Sequence, residues 1–341
     1  MNVYGILKRV TALRSPRMRL AMFLAAHLAG RRNIGVYIDP VLACNIRCRM
    51  CAFSDPDRRK ALSGRMSDDE IRRVAAGLMP RALKVQVGCG AEPTLDRRTV
   101  SVIAQAKRAG VPYVALTTNG QVITDALIAD YADAGLDEIT LSLHGTTART
   151  YEWLMEGASF ERLRKTIEVI RRAKSSHPSL RLRVNYTVNA DNVGELSALP
   201  DFFGRGVVDI LQVRPVQRLG NTSYDNFDLT PVAGAYESVF VPLAEHCRRE
   251  GIECLMPTKE DIASVGVQRD LREALFEQLT YCYVGPGTAY ASGYDPSNDT
   301  YATFHRRNHT VKRLFKSIFS FRGAQSSSND VTKKLNYRVR R

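Results

Sequence analysis

Short apolar runs alternate with longer amphipathic segments over most of this chain. The runs at 34–42, 83–87, 112–117, 136–143, 180–188 and 207–213 are rich in Val, Ile, Leu and Tyr and read as strands. Between them, segments at about 68–79, 97–109, 125–132, 159–174 and 192–203 read as helices. Ser67-Asp68-Asp69-Glu70 supplies an N-cap with acids in the first turn, and Thr124-Asp125 opens a later helix in the same way. Such alternation predicts a parallel α/β fold. Ahead of it, residues 1–32 read as a helix whose apolar body, Leu20, Met22, Phe23, Leu24 and Leu28, lies between Arg17/Arg19 and Arg31/Arg32. That apolar stretch is about eleven residues long, too short to span a bilayer. It either docks on the rest of the protein or lies in a membrane interface.

Beyond the sixth strand the pattern changes. Residues 221–230 are a polar, turn-rich loop, 232–250 read as helix and 251–256 as a further strand. Cys282-Tyr283-Val284-Gly285 then opens a stretch through 288–294, a turn at Asp295-Pro296-Ser297-Asn298, and 300–304, the pattern of a β-hairpin. Residues 323–341, polar with Ser326-Ser327-Ser328 and dispersed lysines, read as disordered. The chain thus divides into a leader (1–32), an α/β core (33–220), an extension (221–322) and a tail (323–341).

The chemistry concentrates after the first strand, in Cys44-Asn45-Ile46-Arg47-Cys48-Arg49-Met50-Cys51. Three thiols spaced C-x3-C-x2-C can wrap onto one iron–sulfur cubane, which normally takes four thiolates. Three would leave one iron open to an exogenous ligand. A structural zinc site usually needs a second cysteine pair downstream, and no such pair follows. In parallel barrels the reacting groups sit at the carboxyl ends of the strands. The glycine-rich turn from Gly88 to Pro93, Thr118-Asn119-Gly120, Ser142 with His144 two residues on, Asn185 and Arg214 all fall there. Arg214 suits a substrate carboxylate or phosphate, and His144 suits contact with substrate or cofactor.

The cysteine spacing after a first strand resembles the signature of the radical SAM enzymes. That resemblance implies a partial (β/α)6 barrel, which six strand–helix units counted from Ile34 suit, a [4Fe–4S] cluster on Cys44, Cys48 and Cys51, and S-adenosylmethionine on the open iron. It implies that Met50 stands beside the adenine, where the family often has an aromatic. Gly88, Gly90 and Glu92 correspond to the family's Gly-Gly-Glu-Pro element, which holds the methionyl ammonium; Ala91 replaces its second glycine. Thr118 and Asn119 match the Thr-Asn-Gly turn near the cofactor, and Ser142 and Asn185 occupy positions that contact it. The implied reaction is reductive cleavage of S-adenosylmethionine to a 5′-deoxyadenosyl radical that abstracts hydrogen from a substrate. A peptide is the first substrate expectation. A lipid or small metabolite at a membrane surface, or a non-catalytic cluster-binding homologue, are the alternatives, and the intact cysteines with Glu92 and Asn119 argue against the last. An electron donor such as flavodoxin or ferredoxin is implied as partner. The stretch 282–304 weakly resembles the hairpin that opens the auxiliary-cluster extension of peptide-modifying members. Phe304 and His305 stand where its closing cysteine would be, so this stretch is expected to cap the barrel and shape the cavity.

Composition narrows the remaining choices. Hydrophobic residues at 44% and charged ones at 25% are those of an ordinary globular protein, which excludes fibrous and wholly disordered classes. Seven cysteines, neither dense nor evenly paired, and no visible signal peptide predict a reducing, cytoplasmic setting. The net charge of +14 is unevenly placed. Residues 1–32 hold seven Lys/Arg and no acid, and residues 305–341 hold eleven Lys/Arg and one Asp, leaving 31 cations against 34 acids between them. Basic ends suit an acidic partner such as anionic lipid, nucleic acid or an acidic peptide, or are simply solvated tails; peripheral membrane contact is an expectation, and nothing points specifically to nucleic acid.

Overall fold

The computed structural model describes residues 13, 15–218, 221–263, 271–286 and 293–320. Eight strands form one sheet: β1 (Ile34–Ile38), β2 (Ala82–Val87), β3 (Val114–Thr118), β4 (Glu138–Leu143), β5 (Arg181–Val188), β6 (Ile210–Pro215), β7 (Glu253–Leu255) and β8 (Tyr281–Val284). Their order is β8-β1-β2-β3-β4-β5-β6-β7, and every pairing is parallel. Sequential neighbours joined by helical crossovers make a partial barrel that stays open between β7 and β8. The expected six-strand core is present, with β7 and β8 added at its two edges.

Local chemistry sets the helices. In α1 (Pro16–Leu28) Ser15 caps the first turn by accepting from the Met18 amide, and Pro16 occupies the first position, where no N–H is needed. In α2 (Asp68–Gly77) Ser67 and Glu70 form a reciprocal capping box, as the sequence predicts. Further helices are α3 (Thr99–Arg108), α4 (Asp125–Asp133), α5 (Phe160–Ser176), α6 (Leu199–Phe203), α7 (Val241–Arg249), α8 (Leu271–Thr280), α9 (Tyr301–Arg307) and α10 (Thr310–Phe319). The predicted helix 192–203 is split into a 3-10 turn at Val193–Ala198 and the short α6. The predicted helix 232–250 is interrupted by a π turn at Tyr236–Phe240, just before Pro242, which has no amide to keep an α-helical register.

The expected hairpin over 282–304 is not what forms. Residues 282–284, which open the stretch, belong to β8, which pairs parallel with β1 and extends the barrel sheet, while most of the expected first arm, 288–294, lies outside the described residues. Residues 287–292 lie outside the described residues, as do the predicted disordered tail, the first twelve residues of the predicted leader helix and Arg14. The second arm is the helix α9, capped by Thr300, whose hydroxyl accepts from the Thr303 amide. Tyr301 and His305 both bury, and their four-residue spacing is a helical period that a short alternating window mimics. The leader docks on the body: Leu20, Phe23 and Leu24 of α1 are buried, while Met22 and Leu28 face solvent.

Outward-facing strand residues such as Val36, Ile38, Val85, Leu116, Ile139, Leu141, Val184 and Val213 pack with the helices into one large core. The inner face is different. A small apolar plug of Tyr113, Ala115, Ile210 and Leu255 fills its amino-terminal end. Beside it Glu138, fully buried, takes Arg183 at 3.0 Å, the Tyr113 hydroxyl at 2.8 Å and the Thr140 hydroxyl at 2.9 Å. A buried carboxylate is tolerable only when so surrounded. This paired floor leaves the chemistry to the opposite end of the strands.

Candidate functional site

The parallel strands deliver the loops after β1, β2, β3, β4, β5 and β6 to one edge of the barrel. The cysteine loop after β1 is held from several sides. Leu42 donates to Gly64 O at 2.9 Å, Glu92 to Ala43 O at 2.8 Å and Arg49 to Leu154 O at 2.9 Å. Arg47–Cys48 form a short antiparallel ladder with Met155–Glu156. Asn119, from the turn after β3, donates to the Asn45 side-chain oxygen at 2.9 Å and lies 3.8 Å from the Cys44 sulfur.

Cys44, Cys48 and Cys51 are all free and half-buried. Burial pushes the Cys44 thiol up to about 12, with the nearby Glu92 and Cys51 adding to the rise and the Ile46 amide and Asn119 opposing it. Cys48 is pushed well up by burial and by the other two thiols. Three thiolates this close to one another and to a carboxylate are unfavourable without a cation, and a coordinated metal reverses that balance. Among the described residues no trio of His, Cys, Asp or Glu is gathered tightly enough for a single ion. A cubane places each thiolate on its own iron, so three free thiols on one loop fit it.

The turn after β2 is built by a residue that sequence reasoning missed. Asp39, fully buried at the end of β1, accepts from the Cys89 amide at 2.7 Å, the Gly90 amide at 2.8 Å and the Tyr283 hydroxyl at 2.7 Å. An acid directly after an apolar strand, before Pro40, was the available signal. Gly88 at φ 81° is required, because a Cβ there would come within 2.5 Å of Thr117 O. The amides of Gly88, Cys89, Gly90 and Glu92 are taken by Ile38 O, Asp39 and Ala43 O. What this turn can offer a cationic amine is therefore carbonyl oxygen.

Glu92 is buried and tightly engaged. One of its oxygens accepts from the hydroxyls of Thr94 at 2.6 Å and Thr118 at 2.8 Å, and the other from the Asn119 amide at 2.7 Å. Burial raises its pKa, against these hydrogen bonds. The structure thus shows Glu92 locking the β2 and β3 turns together. Thr118 and Asn119 are placed by it, and Gly120 follows at positive φ.

Across the barrel, Ser142 pairs in register with Asn185, and Thr187 with Arg214. Asn185 accepts from the Arg214 Nε at 2.9 Å. His144 is buried, and the Thr187 amide donates to its Nδ1 at 3.3 Å. Burial lowers its pKa to about 4, and the Arg214 charge adds to the lowering. Met50 packs with Leu154, Val216 and Tyr224, and its sulfur lies 3.2 Å from the Asn189 side-chain nitrogen. Every predicted site residue therefore sits at this edge of the barrel. Arg183, which shares a strand face with Asn185, belongs to the floor instead.

Residues 38–188 match the family described as the Radical SAM superfamily. Over 209 residues the chain is 29% identical to a probable GTP 3′,8-cyclase of Sulfolobus acidocaldarius, covering 60% of this chain and 64% of that one. A second such cyclase, from Sulfurisphaera tokodaii, is 28% identical over 53% of this chain and 56% of its own, so the chain spans about three fifths of the curated relatives it matches. Among solved structures, Streptococcus suis SuiB bound to precursor peptide SuiA superposes with a TM-score of 0.59 at 15% identity, covering 91% of this chain and 73% of that one. Family members bind a [4Fe–4S] cluster and S-adenosylmethionine, and the thiol loop and turns above fit both. The chain carries a radical SAM domain, with Cys44, Cys48 and Cys51 inside it.

Proposed function

We propose that this protein is an enzyme that cleaves S-adenosylmethionine reductively, so that the 5′-deoxyadenosyl radical takes a hydrogen atom from a bound substrate. The observation that carries this reading is the set of three free thiols on a loop braced by Asn119 against Cys44. Cys44, Cys48 and Cys51 hold the cluster. The β2 turn, organised by Asp39, presents carbonyl oxygens to the methionyl ammonium, and Glu92 acts as a positioning residue for that turn and the next. Met50 and its apolar neighbours provide the dry wall that an adenine ring needs. Neutral His144, with Asn185 and Arg214 beside it, orients the substrate, and excluding water keeps a reactive species from being quenched. An external one-electron donor such as flavodoxin or ferredoxin completes the chemistry, in a reducing cytoplasm that suits seven cysteines outside any disulfide.

A peptide substrate is supported by SuiB and by anSMEcpe, both solved with bound peptides. A small anionic metabolite is the second reading, favoured by the Arg214 charge, near enough to His144 to lower its pKa, and by the cyclase names of the sequence relatives. The test is to incubate reconstituted protein with S-adenosylmethionine and dithionite and to measure 5′-deoxyadenosine. Formation above a Cys48→Ala control supports the reading; absence with a full iron complement overturns it.

A further inference from the structure

Among the described residues, the large hydrophobic side chains left exposed are Met18, Met22, Leu28, Trp153, Val241, Phe315 and Phe319. Five of these seven lie on only two helices, α1 and α10. The two helices pack against each other, with the Arg17 side chain at the start of α1 donating to Ser320 O at the end of α10 at 2.9 Å. They therefore run side by side in opposite directions. Each already buries one face: Leu20, Phe23 and Leu24 on α1, Thr310 and Leu314 on α10. The exposed residues are a second apolar set that folding does not use.

On α10 that set is ordered. Phe315 and Phe319 are 47% and 66% exposed, and their rings stack with centroids 6.0 Å apart. Lys312 and Lys316, also exposed, stand next to them around the helix. Residues 15–32 hold four Lys/Arg and residues 300–320 hold five, with no Asp or Glu in either stretch. Among the described residues, Arg19 pairs with Glu273 and Arg307 with Asp299. Aromatic and Met side chains bordered by cations of one sign are the composition of a helix that lies in a bilayer interface. A protein partner is matched less well, because protein interfaces are depleted in lysine. None of the helices among the described residues is long and apolar enough to cross a membrane, so the contact would be superficial.

We propose that α1 and α10 form a docking face for an anionic lipid bilayer, with Phe315, Phe319, Met18 and Met22 entering the headgroup boundary and the lysines meeting lipid phosphate. This inference is independent of the reaction catalysed. It is tested by flotation of the full-length protein with vesicles of phosphatidylcholine, with and without phosphatidylglycerol. The expected result is co-flotation with the anionic vesicles alone, reversed by salt as the charges are screened. The Phe315→Ser/Phe319→Ser variant should lower the partition coefficient about tenfold, and Lys312→Glu/Lys316→Glu by at least as much. All four positions are exposed, so both variants should keep the wild-type melting temperature. Equal flotation with neutral vesicles overturns the proposal, as does an unchanged partition coefficient in the phenylalanine variant, which would leave only diffuse charge attraction. Absence of flotation together with salt-sensitive binding of poly-glutamate, lost in Lys312→Glu/Lys316→Glu, would overturn it by assigning the face to an acidic protein.

Discussion

Replacing Asp39 should disturb the site more than replacing any residue of the glycine turn it holds, Gly88 excepted. The carboxylate is fully buried and accepts three hydrogen bonds, two from backbone amides and one from a tyrosine hydroxyl, all between 2.7 and 2.8 Å. Bonds to a charged acceptor contribute about 1.5–3 kcal/mol each, and orphaned donors in a buried site carry their own desolvation cost. Asp39→Ala would leave three donors without an acceptor. A water entering the vacated space would recover part of the loss, so the expected destabilisation is about 3–5 kcal/mol. In a chain of this length that corresponds to a fall in melting temperature of roughly 4–7 °C. Asp39→Asn keeps the shape but loses the charge and turns one acceptor into a donor facing an amide, which predicts about 2–3 kcal/mol. Tyr283→Phe removes one bond and should cost about 1–2 kcal/mol. The assay is differential scanning calorimetry of the three variants and of Asp39→Asn combined with Tyr283→Phe. Because the two side chains share a bond, the double variant should cost less than the two singles together. Additive losses, or an Asp39→Ala melting temperature within about 2 °C of wild type, would refute the claim that Asp39 organises this turn.

Three other expectations follow from the geometry. Cys48→Ala should abolish cluster assembly, read as loss of bound iron and of visible absorption, while the fold's circular dichroism persists; a variant retaining four irons per chain would remove Cys48 from the ligand set. Gly88→Ala should be destabilised by at least about 2 kcal/mol, since a positive φ and a 2.5 Å approach to Thr117 O both oppose a side chain, and an unchanged urea midpoint would refute this. The ring cluster joining α1 to α9 should make stability depend on pH: burial lowers the pKa of His305 to about 3, with His27 and Arg81 adding to it, and burial also lowers that of His27, whose ring meets the Tyr301 hydroxyl at 2.6 Å. Both rings are neutral when folded, so the unfolded chain takes up protons first. Their contribution is complete above about pH 6.5 and is lost as pH falls towards about 3. His305→Asn should show a shallower acid dependence in urea titrations, and an identical slope would count against the cluster.

Much of the core was readable because its signals are local. Strands β1 to β6 announce themselves as apolar runs, Ser67 with Glu70 and Thr124 announce helix starts, and Cys44, Cys48 and Cys51 lie within eight residues of one another. Parallel topology then carries every strand's end to one edge, which is why polar residues 100 positions apart, such as Cys44 and His144, could be expected at the same edge of the barrel. What needed the tertiary structure were choices between partners distant in sequence. The hydrogen-bond partners of a carboxylate such as Glu92 are not written in its own turn, and only the fold brings Thr118 and Asn119 up to it. Asp39 has no motif around it, since its partners come from the β2 turn and from Tyr283 on β8. The stretch at 300–304 alternates well enough for a strand, yet it is a helix because Thr300 caps it and Tyr301 and His305 find Asn33 and His27 to pack upon. Local pattern is set by neighbours along the chain and can be read there; which of two satisfying partners a buried polar group meets is set by packing, and exists only once the fold has formed.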